Sequence, residues 1–519
     1  FWRAIRPRRR GRDDVSQTVV AWREHGLIAA VTLVAFGLRV LRLDASGLGY
    51  DELFSLAAGT LAFPDWLIAV FEDRVHPPGY YFLGQFWYGI GHAEFIVRYL
   101  SVVFGVLAIP LIYRLGKTVV DERLGLIAAA LLTVSPFHIY YSQEARMYSL
   151  VAFLALGANY FFLRLLERGQ ARDAFGYVAL TTFGLYTHYL YTMVVLAQMV
   201  FGVLARRTYR AALTRWFIAL IGAGALFAPW FGAVMATGGL TQAGISWIPP
   251  ANLSDLALTL FTQTLGATSL IDNPIFFFVP AASIAFAIGG WAITRADKSA
   301  TRARVDFLAI WFLLPLVFVF LISLDLPIPG KRSVYHDRFF IAELPGLLLL
   351  IALGVRALWQ KRPRVTATLA LALVLPTILS LQILYFDPAN AREDWRGSVA
   401  YLRAHADPAR DVLVIYAGEV LPLAYYEPGI ARRVVVWVPS DDAPDEFAKQ
   451  FAAFDPAPAQ VWFLVPTAGA NKHGFFASWE EQRQNARADP LKRALDQRYA
   501  VESEKQFQAV FVTQYRVAR

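Results

Sequence analysis

The chain has 519 residues, 57% of them hydrophobic and only 17% charged, against roughly 25% charged in a soluble chain. A formal net charge of +9 would suit a nucleic-acid binder, but the basic residues cluster in short stretches between apolar runs, which marks membrane orientation and excludes nucleic acid as the partner. There are no cysteines, so a disulfide framework and a thiolate metal site are both excluded.

Residues 1–26 form a basic stretch with Arg6, Arg8, Arg9, Arg10 and Arg12, expected in the cytoplasm. The first apolar run, 27–40, reads as a span and not as a cleaved signal. No small-residue cleavage site follows it, and Arg39, Leu41 and Arg42 lead straight into a polar loop. The first outside loop, 44–94, contains an apolar piece from Tyr80 to Gly91. That piece is shorter than the about 20 residues a bilayer requires, so it is expected to lie at the interface.

Ten further spans fall at roughly 95–113, 124–141, 147–163, 174–188, 189–205, 216–237, 275–294, 306–324, 339–358 and 366–386. The loops then predicted inside carry clusters such as Arg114, Lys117 and Arg123, then Arg206, Arg207, Arg210 and Arg215. The outside loop 238–274 has no Lys or Arg. One outside loop, 325–338, breaks the rule with Lys331, Arg332 and Arg338, and a basic cluster on the wrong side suggests an anion site.

The membrane region therefore runs over 27–386. Residues 387–519 are polar, with β-rich runs at Val412–Tyr416, Val434–Val438, Val461–Val465 and Ala509–Val512. Helix-like stretches lie at Trp395–His405, begun by Asp394, and at Asp445–Phe454. The expected fold is a multi-span α-helical membrane protein of about eleven transmembrane helices, with interfacial helices in its first outside loop and a small C-terminal α/β domain outside.

Four outside motifs carry possible chemistry. The first is Gly47 to Ser55, with Tyr50, Asp51 and Glu52; Asp51 fits an N-cap of a helix starting at Glu52 and equally a general base with a raised pKa. The second is Asp73 to Tyr81. His76 there could contact phosphate, bind a metal or shuttle a proton, and Tyr80 and Tyr81 fit interfacial anchors. The third is Ser142 to Tyr148, where Glu144 and Arg146 fit either an interfacial salt bridge or a cavity lining. The fourth is Lys331 to Arg338, including His336, where an arginine fork suits a phosphate and lipid head groups would also attract the charge. His188, at an outer turn, is as compatible with a satisfied interfacial residue as with a site residue. There is no Walker-A loop, no dinucleotide fingerprint, no zinc-protease helix and no Asp-x-Asp pair.

The order of these parts resembles the glycosyltransferase C superfamily, in particular the bacterial relatives of protein O-mannosyltransferases and of the lipid A aminoarabinose transferase. The residues that carry the resemblance are Tyr50-Asp51-Glu52, His76-Pro77-Pro78-Gly79-Tyr80-Tyr81, Ser142-Gln143-Glu144-Ala145-Arg146-Met147-Tyr148, Arg338-Phe339-Phe340 before a Pro345-containing span, and Glu393-Asp394-Trp395-Arg396. The resemblance implies transfer of one sugar from a polyprenyl-phosphate donor to a lipid, glycan or protein acceptor at the outer face of the plasma membrane, usually with inversion. Asp51 matches the family's loop carboxylate and Glu52 its neighbour. His76 stands where the aminoarabinose transferases have a lysine on the carrier phosphate, and Glu144 and Tyr148 stand where those enzymes place an Asp. The donor phosphate then falls to His76, Lys331, Arg332 and Arg338. Tyr50, Tyr80, Glu144, Arg146, Tyr148, His188 and His336 remain for the substrates. No cofactor is certain, and a divalent metal is left open. A lipid-linked glycan ligase or polymerase is the alternative. A secondary transporter is the more distant one, since no internal repeat is evident.

Overall fold

In lipid a backbone must satisfy its own hydrogen bonds, so apolar runs of bilayer length fold as helices. The structure, a computed structural model, describes residues 12–238, 248–266, 270–271, 273–296, 300–326, 333–387, 392–416, 420–428, 434–437, 458–466 and 479–517. Helix α1 (Arg12–Val40) leads into three short helices, α2 (Tyr50–Thr60), α3 (Asp65–Asp73) and α4 (Gly79–Trp87). Then follow α5 (Glu94–Val119), α6 (Glu122–Val134), α7 (Pro136–Ser142), α8 (Tyr148–Arg168), α9 (Ala171–Thr187) and α10 (Thr192–Leu204). The membrane region ends with α11 (Arg206–Ala236), α12 (Leu253–Leu265), α13 (Phe278–Arg295), α14 (Ala300–Ser323), α15 (Leu344–Lys361) and α16 (Pro363–Phe386).

Among the described residues, seven helices are long and apolar enough to cross a membrane, in the regions of α5, α8, α11 and α13 to α16. Helices α6 and α7 make an eighth if joined across their 62° bend. The bend has a local cause: Pro136 has no N–H to continue α6, and the Ser135 side chain accepts from the His138 N–H to start a new helix. The other three expected spans fall on α1, α9 and α10; α9 has 17 residues. Helix α4 has nine residues, about 13 Å of helix, too short to cross. Close crossings rest on small residues: a Cβ on Gly290 of α13 would meet the Gly354 backbone nitrogen of α15 at 2.3 Å.

The C-terminal domain begins with α17 (Trp395–His405), capped by Asp394 as expected, whose side chain accepts from the Gly397 N–H. Then come β1 (Val412–Tyr416), α18 (Val420–Tyr426), β2 (Val434–Trp437), β3 (Gln460–Pro466), α19 (Trp479–Ala488), α20 (Pro490–Arg498), β4 (Ala500–Phe507) and β5 (Val510–Arg516). The sheet order is β2-β1-β3-β5-β4, parallel across β2-β1-β3 and antiparallel from β3 to β4. Alternation along the strands splits the core. Leu413, Ile415, Trp462 and Leu464 pack against Trp395, Val399 and Leu402 of α17, whereas Val412, Val414, Val461 and Phe463 pack against Ala486, Leu491 and Leu495 of α19 and α20. Strand β4, Ala-Val-Glu-Ser-Glu-Lys-Gln-Phe, escaped the sequence reading because an exposed edge strand shows no apolar run. The helix expected at Asp445–Phe454 lies outside the described residues.

The domain is fastened to the first loop. Tyr426 Oη accepts the Leu48 N–H at 2.7 Å and donates to Glu94 Oε1 at 2.7 Å, Tyr425 Oη donates to the His92 carbonyl at 2.7 Å, and Arg396 pairs with Glu94. It therefore sits at the same end of the bundle as Asp51.

Candidate active site

Helix α2 starts two residues earlier than expected, at Tyr50 with Gly49 as its cap. Asp51 is therefore inside the first turn and does not cap it. The reach-back falls to Glu52, whose Oε2 accepts the Gly49 N–H at 3.0 Å. Neighbouring helical residues point about 100° apart, so the two carboxylates meet different surroundings. The Glu52 side chain is 1% exposed and that of Asp51 is 41% exposed.

Glu52 is fully engaged. Arg98, at the start of α5, donates Nε to Oε1 at 2.8 Å and its terminal nitrogen to Oε2 at 2.7 Å, and the Ala145 N–H reaches Oε1 at 2.9 Å. Arg98 also donates to the carbonyls of Leu43, Ser46 and Gly47. One buried ion pair thus ties the first loop to α5 and to the turn before α8. Burial works to raise the Glu52 pKa, but Arg98 and then Arg392 outweigh it and bring it to about 2.

Asp51 faces two cations. Arg338 stands 3.3 Å from Oδ2 and Arg146 stands 3.9 Å from Oδ1. A raised pKa was expected for Asp51. Burial does push upward, but Arg146 and Arg338 together hold the carboxylate below its usual range. Arg146 is itself fixed by the Asp51 carbonyl at 3.1 Å, Ser55 Oγ at 3.2 Å, Tyr81 Oη at 3.4 Å and His76 Nδ1 at 3.3 Å.

His76 and His188 lie against each other, ring centres 5.3 Å apart. Their loops are pressed together, since a Cβ on Gly79 would come 2.7 Å from the Tyr186 carbonyl oxygen. His188 Nδ1 accepts the Leu190 N–H at 3.1 Å, which assigns the ring proton to Nε2. That Nε2 is buried and has no hydrogen-bond partner among the described residues. Arg146 likewise donates to His76 Nδ1, and burial first, then Arg146, keeps His76 neutral. Two guanidinium groups therefore converge on one exposed carboxylate, and two neutral imidazoles pack behind them, His76 against Arg146 and His188 against His76 and Phe339. The Arg338 guanidinium also lies over Tyr148, 5.6 Å from its centre, and over Phe339 at 5.5 Å.

Other expected site residues are placed differently. Glu144 and Arg146 do not pair with each other: Glu144 faces Arg392 at 3.8 Å, and burial raises its pKa against that cation. Tyr80 and Tyr81, expected as interfacial anchors, are both 0% exposed. Tyr80 bonds Ser101 Oγ at 2.9 Å, so the phenol nearer the cations is that of Tyr81. His336 is buried against Asp337 at 3.0 Å and packs on Phe339, one layer behind Arg338. The Tyr50 N–H donates to Glu393 Oε2 at 3.0 Å. Lys331 and Arg332 lie outside the described residues.

Sequence reasoning missed Arg98 and Arg392. Arg98 carried a signal, a lone cation inside an expected span. Arg392, which lies between Glu52 and Glu144 and over the Tyr140 ring at 4.7 Å, carried none beyond its nearness to Glu393. As for a metal, no group of three or more His, Asp or Glu gathers among the described residues, and the Asp51 oxygens face guanidinium groups. That donor set does not fit a divalent ion at Asp51.

The family model for dolichyl-phosphate-mannose-protein mannosyltransferases matches residues 75–232. A comparison with curated protein sequences finds no match. ArnT from Cupriavidus metallidurans in the apo state shares the fold with a TM-score of 0.61 at 12% identity, over 96% of this chain and 98% of that one. The same protein bound to undecaprenyl phosphate gives 0.56 at 11% identity, over 94% and 97%. AglB, the oligosaccharyltransferase of Archaeoglobus fulgidus, in complex with an inhibitory peptide and a dolichol-phosphate, gives 0.53 at 13% identity, over 95% and 74%; it has also been solved with zinc and sulfate. The resemblance to the glycosyltransferase C superfamily, read first from short motifs, thus holds in the fold of nearly the whole chain and in the mannosyltransferase match over residues 75–232.

Proposed function

We propose that this protein is a membrane glycosyltransferase that moves a single sugar from a polyprenyl-phosphate donor to a lipid, glycan or protein acceptor. The observation that carries the reading is Asp51, an exposed carboxylate held between Arg146 and Arg338, with His76 on the Arg146 side. The ligands of the structural neighbours, undecaprenyl phosphate on ArnT and a dolichol-phosphate on AglB, support a lipid-phosphate donor.

The reaction is an inverting single displacement. The acceptor oxygen bonds to the anomeric carbon from the face opposite the phosphate, and its proton passes to Asp51. The bond between that carbon and the phosphate oxygen breaks, and its electron pair leaves on the polyprenyl phosphate. Arg338 meets the developing charge, with the imidazole N–H groups of His188 and His76 and with Lys331 and Arg332 as further donors. A docked phosphate competes for Arg338, which relaxes that cation's hold on Asp51 and raises its basicity when the acceptor is present. Glu52, saturated by Arg98, is a positioning residue that aims its neighbour. Arg146, Tyr81 and Tyr148 face the substrates beside Asp51, and Tyr50, Tyr80, Glu144 and His336 support the residues that do. No step is routed through a metal.

With α1, α9 and α10 taken as spans beside the eight above, the proposed topology has eleven spans, the basic N-terminus in the cytoplasm, and Asp51 and the C-terminal domain outside the bacterial inner membrane. The AglB likeness favours one second reading, transfer of a whole lipid-linked glycan. The test offers purified protein a short-chain polyprenyl-phosphate monosaccharide and, separately, a lipid-linked oligosaccharide. Release of polyprenyl phosphate with a single sugar on the acceptor supports the proposal. Turnover of the oligosaccharide alone would transfer the assignment to the second reading.

A further inference from the structure

The helices that build the site also build something at their other ends. There α5, α8 and α9 enclose an open recess of about 430 Å³ lined by Arg114, Tyr160, Phe161, Arg164, Arg172 and Asp173. Each of these helices begins or ends at the candidate site, at Arg98, Tyr148 and His188 respectively. About 24 Å of α8 separates Tyr148 from Arg164, so the recess lies across the bilayer core from Asp51.

The charges in the recess do not cancel. Arg164 is committed: its Nε holds Asp173 Oδ1 at 2.8 Å, its terminal nitrogen holds Tyr160 Oη at 2.7 Å, and it lies over the Tyr160 ring. Asp173 is fully buried and neutralised by that pair. Arg114 and Arg172 are exposed and enter none of the ion pairs among the described residues. Two guanidinium groups are thus left over a pocket with one aromatic wall.

Beneath the cations the surface is apolar and bare. Leu107 lies two turns deeper on the same face of α5 as Arg114 and is 44% exposed, and Phe175 lies one turn deeper than Arg172 on α9 and is 76% exposed. At the floor, Leu111 and Leu180 close over Gly157. Cations at the rim and exposed hydrocarbon below match a phosphate with acyl chains hanging from it. A free phosphate would use only the rim.

We propose that this recess binds the phosphate of an anionic phospholipid headgroup through Arg114 and Arg172, with its acyl chains along Leu107 and Phe175. The full chain would be purified, delipidated and titrated with phosphatidylglycerol, phosphatidylcholine or inorganic phosphate, reading thermal midpoint and lipid retention by native mass spectrometry. Phosphatidylglycerol should raise the midpoint and stay bound, and phosphatidylcholine should not. Arg114→Gln with Arg172→Gln should weaken binding about 30-fold, from the attraction typical of two cations at a headgroup. Arg206→Gln with Arg210→Gln, two exposed arginines on the same side outside the recess, should change it less than about twofold, well short of the effect expected of a pair in contact. Equal loss in both pairs would show diffuse attraction and overturn the proposal, as would undiminished binding by the first pair. A shift produced by inorganic phosphate and not by phosphatidylglycerol would overturn the lipid assignment.

Discussion

Replacing Asp51 by Asn keeps size and hydrogen-bonding shape and removes the charge. Loss of a general base should lower kcat by about 10²–10⁴-fold. The same change releases Arg338 and Arg146, which Asp51 holds at 3.3 and 3.9 Å. With the carboxylate 41% exposed, each pair contributes no more than about 0.2–1 kcal/mol, so the donor KM should stay the same or fall by about two- to fivefold. The thermal midpoint should fall much less than in a Glu52 variant, because Asp51 is open to solvent and stands 3.9 Å from the buried Arg146, which keeps its other hydrogen bonds. The pH profile adds a check. The Asp51 pKa is depressed, so its ionised form prevails at all pH values above the ordinary carboxylate range, and wild-type kcat/KM should show no acid limb from this group near neutrality. The assay is steady-state transfer from a short-chain polyprenyl-phosphate sugar, varying donor at saturating acceptor. Near-normal kcat in Asp51→Asn would refute the base assignment. A raised donor KM with unchanged kcat would move Asp51 into donor binding.

Further expectations follow from the same geometry. Glu52→Gln leaves Arg98 buried without its counter-charge and should cost about 3–5 kcal/mol, seen as a large drop in thermal midpoint. In the wild type, the Glu52 pKa is lowered in the fold, so its contribution is fully present above the unfolded value near 4.5 and is lost as pH falls toward about 2; acid stability scans of the variant should lack that component. Arg338→Ala should weaken donor binding and lower kcat by about 10²–10³-fold, with partial recovery in Arg338→Lys, because the ammonium keeps the charge and loses the fork; unchanged kinetics would reduce Arg338 to a lipid anchor. In intact cells, an impermeant thiol reagent should label Ser254→Cys and spare Arg168→Cys, and the reverse pattern would invert the proposed topology.

The sequence by itself determined the helical membrane region, because apolar runs of bilayer length have only one way to satisfy their backbone in lipid. It also determined most of the C-terminal sheet, since apolar strands buried on both faces stand out, and it missed β4 because an edge strand that meets water does not. Asp51, Arg146 and Arg338 were legible as charges at the ends of apolar runs. Their convergence was not, since they lie in three loops far apart in the chain. Only the tertiary structure divided labour between Asp51 and Glu52: adjacent in sequence, they differ because the helix turns one toward Arg98 and the protein interior and the other toward open space. It alone exchanged Tyr80 for Tyr81, sent Glu144 to Arg392 rather than to Arg146, and brought Arg392 in from beyond the last span. A charged side chain takes whatever partner packing brings within a few ångströms, and no local pattern records that choice.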